Sequence, residues 1–115
     1  MARDTDLIDL HVTQVVKRAV IDHAGSGDNT LVASVTGKRI RVYDIVLISA
    51  GTVTVRFESG AGGTALTGAL TLVANTGFAP GFTPYGHFET AAGALLNLEL
   101  SDAVSVDGWL VYAEI

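Results

Sequence analysis

Between Arg39 and Glu58 the chain reads RIRVYDIVLISAGTVTVRFE, and its apolar positions recur at every second residue. Val53, Val55 and Phe57 fall on one side of an extended chain, with Thr52, Thr54, Arg56 and Glu58 on the other. A period of two belongs to a strand with one buried face. Ile40 and Val42 alternate with Arg41 and Tyr43 in the same way. Ile45, Val46, Leu47 and Ile48 are then apolar without interruption. A strand apolar on both sides needs cover on both, from a second sheet on one and another subunit on the other. With Ala50-Gly51 as a short turn, this stretch is expected to form a central hairpin.

Similar short runs fill the rest of the chain. Residues 15–22 (VVKRAVID) predict a strand, ended by the loop signal AGSGD at 24–28. Residues 29–35 predict another, with Leu31, Ala33 and Val35 inward, turning at Thr36-Gly37-Lys38 into the hairpin. A glycine loop at 59–63 precedes one or two short strands within 64–74, broken at Gly68, and Asn75-Thr76-Gly77 turns again. Residues 78–89 (FAPGFTPYGHFE) are the least regular, with both prolines and four aromatic side chains. Leu96, Leu98 and Leu100 alternate with Asn97 and Glu99, and Asp107-Gly108 is expected to turn the chain into a closing strand at 109–115.

Roughly eight short strands with turn signals about every 8–12 residues and no long helix predict an all-β fold. The expected form is a single jelly-roll-like antiparallel β-sandwich over residues 15–115. Residues 1–14 stand apart as an N-terminal arm. Asp6 is placed to cap a turn too short to be stable alone, so Leu7, Ile8, Leu10 and Val12 are expected either to dock on the body or on a neighbour or to belong to a frayed terminus.

Composition adds association to this picture. Hydrophobic residues make up 49% and charged residues 17%, below the roughly 25% charge of an average soluble domain. Mean hydropathy is +0.43, yet no apolar run approaches the roughly 20 residues of a membrane span. The opening residues MARDTD do not resemble a signal peptide. Apolar surface with no lipid to enter predicts a homo-oligomer. All 7 Lys and Arg lie at or before Arg56, and only acidic charges follow. Without clustered cations, binding to nucleic acid is not expected, whereas charge asymmetry suits contact between unlike faces of neighbouring subunits.

Candidate chemistry is sparse. There is no cysteine, hence neither disulfide nor thiolate. His11, His23 and His87 lack ligand-motif spacing, and His87-Phe88-Glu89 lacks the second histidine a cupin metal centre needs. Asp28-Asn29 and the Asp102, Asp107 pair offer oxygens to Ca²⁺ without the acidic run of an EF-hand, and read as turn formers. No serine sits in a GxSxG elbow, and neither GSG at 25–27 nor GAGG at 60–63 ends in the Lys-Ser/Thr of a phosphate loop. No enzyme activity, metal or cofactor is expected. One segment suits ligand binding. Phe82, Tyr85, His87 and Phe88, with two prolines, are suited either to a sugar platform or to plugging the open end of the sandwich.

Three runs carry a resemblance: AVIDHAGSGDNTLVASVTGKRIRVYDIVLISAG from Ala19, VTVRFESGAGGTALTG from Val53, and GHFETAAGALLNLELSDAVSVDGWLVYAEI from Gly86. Together they resemble small bacteriophage virion proteins of the jelly-roll capsid decoration (cementing) type. The resemblance implies a homotrimer on the capsid surface that contacts the major capsid protein and stabilises the head. Its N-terminal segment would reach capsid or neighbour, and assembly would occur in the host cytoplasm. The alternative is a receptor- or carbohydrate-binding module of a phage tail or fibre, using the aromatic loop.

Overall fold

The structure, a computed structural model, describes residues 15–115. Among these residues ten strands form two five-stranded antiparallel sheets stacked as a sandwich. They are β1 (Val16–His23), β2 (Gly27–Val32), β3 (Ile40–Ser49), β4 (Val53–Ser59), β5 (Thr64–Ala65), β6 (Leu70–Leu72), β7 (Gly77–Phe78), β8 (Phe88–Glu89), β9 (Leu96–Leu100) and β10 (Val106–Glu114). Sheet A runs β1-β10-β3, with β7 and β8 both on the far edge of β3. Sheet B runs β2-β9-β4, with β5 and β6 both on the far edge of β4. No helix among the described residues is long and apolar enough to cross a membrane.

The stretch 39–58 is not a hairpin. β3 and β4 lie in different sheets, so Ala50–Thr52 is an arch between layers. The physical reason is that each strand has one apolar face. Those faces meet across the sandwich, where Ile45, Leu47, Val53, Val55 and Phe57 share one core. The arch is tied to the neighbouring crossover by Ala50 N donating to Ser105 O at 2.9 Å. Buried Ser49, just before it, donates through Oγ to Val73 O at 3.1 Å. The link from β2 to β3 likewise crosses between sheets.

The run Ile45–Ile48 also resolves differently from its sequence. The register of β10 on β3 shifts between Val111 and Tyr112, which face Asp44 and Val42 respectively. Tyr43 is the extra residue of this β-bulge, and such an insertion reverses the parity of everything beyond it. Ile40 and Val42 point inward before it, Ile45 and Leu47 after it, while Val46 and Ile48 face out. A second shift, between Thr30 and Val32 in β2, buries both Leu31 and Val32. Ala33 and Val35 then lie outside the strand and exposed, contrary to their expected inward positions. Asp107 and Gly108 are not a turn but the start of β10, paired with Ile48 and Leu47.

Candidate functional site

The arm residues Leu7, Ile8, Leu10 and Val12 lie outside the described residues. The aromatic loop does not: the backbone of residues 79–87 follows β3. Thr83 N donates to Tyr43 O at 3.0 Å and His87 N to Val42 O at 2.7 Å. Gly86, at φ +85°, packs so tightly here that a Cβ would sit 2.6 Å from Arg41 Cγ. Phe78 and Phe88 turn inward against Phe57, with centroids 6.4 and 5.2 Å away. Phe82 stacks on the buried Tyr43 ring at 6.0 Å, closing over the bulge. The His87 ring is held by its Nε2 at 2.7 Å from Gly81 O. Of the four loop residues singled out by sequence, Phe82 and Tyr85 keep half their surface in solvent, at 52% and 50%.

Among the described residues nothing covers the rest of the outer face of sheet A. Register sets Val20, Trp109 and Val46 side by side across β1, β10 and β3, with Ile48 one step along. Val20 is 72% exposed and Ile48 52%. The Arg18 guanidinium lies 5.0 Å from the Trp109 ring centroid, a cation–π contact that caps one side of the row. On the other side the row runs into an apolar hollow of about 270 Å³, lined by Val46, Ile48, Gly77, Phe78 and Ala79. Sequence alone shows Val46 and Ile48 as apolar. Only the bulge and register decide that they face outward beside Trp109.

The outer face of sheet B is polar and organised. Asp28, Glu99 and Arg56 form one cross-strand row over β2, β9 and β4, and Thr30, Asn97 and Glu58 the next. Glu58 and Asn97 are completely buried although they point away from the core. Asn97 Nδ2 donates to Asp28 Oδ1 and to Glu58 Oε1, each at 2.9 Å. Arg56 donates to Glu58 Oε2 through Nε at 2.9 Å and reaches Glu99 Oε2 through NH2 at 3.4 Å. Gly62 N, in the glycine loop, donates to Asp28 Oδ1 at 3.3 Å. One oxygen from each of Asp28, Glu58 and Glu99 lies within 4.8 Å of the others. The sequence signal for this cluster is the outward parity of Arg56, Glu58, Asn97 and Glu99, but nothing in the chain order shows that they converge.

Burial pushes the Glu58 carboxyl up, but hydrogen bonds from Arg56 and Asn97 outweigh it and hold the group below its ordinary value. The neighbouring Glu99 is pushed up, chiefly by its contact with Glu58 and the repulsion between the two carboxylates. The signs oppose each other. A raised Glu99 destabilises the fold at neutral pH and ceases to do so as it takes a proton. A depressed Glu58 stabilises above the unfolded carboxylate pKa and loses that contribution as pH falls through its folded value. Urea midpoints are therefore expected to hold or rise slightly from pH 7 to about 5, then fall below about pH 4. Glu99→Gln removes the rise and keeps the fall.

Compared with known proteins, the chain matches no family model, no curated protein and no solved structure.

Proposed function

We propose that this chain is a structural protein of a bacteriophage virion, a capsid decoration protein that trimerises and stabilises the head without catalysing a reaction. The observation that carries this reading is the open apolar row of Val20, Trp109, Val46 and Ile48 on sheet A, opposite a polar outer face on sheet B. A second copy of the chain is the occupant of that row, because it is continuous with the edge of β1 that has no strand partner among the described residues, where Val15 and Val16 are also exposed. The strand order supports a jelly roll. β1 and β2 at one end of the chain pair with β10 and β9 at the other, the nesting of two Greek keys. Docking on the capsid surface, against the major capsid protein, then gains by repetition what each modest contact lacks.

Light scattering is expected to give about three times the 11.9 kDa chain mass. Val20→Asp and Trp109→Asp, each placing a charge in the row, reduce it to the monomer with unchanged circular dichroism. A monomeric wild-type protein removes the self-association from the proposal. The second reading, a receptor- or carbohydrate-binding module, draws on the half-open rings of Phe82 and Tyr85. It requires that alanine at both positions abolish attachment to host cells.

A further inference from the structure

We infer that the outer face of sheet B holds a divalent cation, Ca²⁺ by preference, between Asp28, Glu58, Glu99 and the amide oxygen of Asn97. Three carboxylates each bring an oxygen to within 4.8 Å of the others, across three adjacent strands. Their only ion-pair partner among the described residues is Arg56, which binds one oxygen of Glu58 and one of Glu99. The cluster therefore retains two formal negative charges. Two oxygens that Arg56 does not hold, Glu58 Oε1 and Asp28 Oδ1, both accept from the same Asn97 nitrogen.

Asn97 supplies the second, independent observation. Its side chain is fully buried and ends among these carboxylates. Its Oδ1 is the sole buried side-chain polar atom among the described residues without a hydrogen-bond partner. Buried acceptors are nearly always satisfied. The amide nitrogen now faces Asp28 and Glu58, and rotation about the Asn97 Cβ–Cγ bond, releasing those two N–H bonds, would bring Oδ1 onto an ion that the carboxylates attract.

The donor set is all oxygen, with carboxylates and one amide, which is the chemistry of a hard cation rather than of zinc or copper. Four protein groups leave the rest of a shell of about 6–8 oxygens at about 2.3–2.6 Å to water, an irregular geometry that suits Ca²⁺, whereas Mg²⁺ demands a near-ideal octahedron at about 2.0–2.1 Å. Gly62 N donates to Asp28 Oδ1 from the glycine loop, so a filled site would be tied to that loop as well.

The test is the melting temperature of the full chain after chelator treatment, titrated with CaCl₂ and, separately, MgCl₂. At one hundred times the dissociation constant, Ca²⁺ is expected to raise the melting temperature by roughly 10 °C, with MgCl₂ giving a much smaller rise. Glu99→Gln and Asp28→Asn, both on side chains open to solvent, should fold as the parent does and lose the shift. Asp102→Asn, outside the cluster, should keep it. No shift with CaCl₂, or the same shift in both cluster variants, overturns the site. If either variant fails to fold, the other decides, and calorimetric titration of CaCl₂ into the parent chain reads binding without any variant.

Discussion

Replacing Phe57 by alanine is expected to lower the unfolding free energy by about 3–5 kcal/mol, the range for deleting a buried aromatic ring. The ring is fully buried in sheet B, and it touches Phe78 and Phe88 of the opposite sheet. Those two residues sit in β7 and β8, strands of only 2 residues each. Such short strands have few ladder bonds of their own and depend on their side chains to stay against β3. Loss of the ring therefore leaves a cavity and also releases both ends of the aromatic loop. Urea unfolding should show the midpoint falling steeply, and proteolysis within residues 79–87 should accelerate in the native state. A loss under about 1 kcal/mol, well below the large-to-small core range, would mean that Phe57 is not the shared anchor.

The second large effect is expected at Gly108. It lies in the middle of sheet A, facing inward between Ile21 of β1 and Leu47 of β3. Its φ of +154° is rarely adopted by residues with a side chain, and a Cβ there would stand 1.8 Å from Val46 O. The alanine variant must therefore relieve backbone strain of about 1–3 kcal/mol and overpacking of about 1–3 kcal/mol. Both β1 and β3 pair with β10, so the displacement reaches either side of the sheet. Thermal melting of Gly108→Ala should show a fall of well over about 10 °C at the usual few degrees per kcal/mol. An unchanged melting temperature would mean that β10 and β3 are not packed as closely as this.

The period-two pattern made much of this fold legible. Val53, Val55 and Phe57 go inward as their alternation requires, and so do Leu96, Leu98 and Leu100. What the pattern could not carry was which strands pair. An arch and a hairpin have the same local signature, a turn between two alternating runs, and differ only in whether the runs bond to each other or face each other. The bulge at Tyr43 was visible only as a break in parity, and that break looks the same as a strand greasy on both faces. The carboxylate cluster was hidden for a related reason. Asp28, Glu58 and Glu99 are far apart in the chain, and each taken singly is an ordinary outward-facing charge. They become one site only through the registers of β2 and β4 on β9.

The placement of β10 has a consequence for how the chain reaches this structure. β1 and β3 have no partner in common except β10, which separates them along its whole length. Until residues 106–114 have left the ribosome, β1 lacks its only strand partner among the described residues and sheet A has no centre. Folding must then close loops that span nearly the whole domain before those contacts return any stability, which puts such topologies in the millisecond-to-second range. During that interval the apolar faces of β1 and β3 are open to the nearest other strand. Where many copies are being made at once that strand belongs to another nascent copy, so yield of the folded protein should depend on expression rate more steeply than on the stability of the finished sandwich.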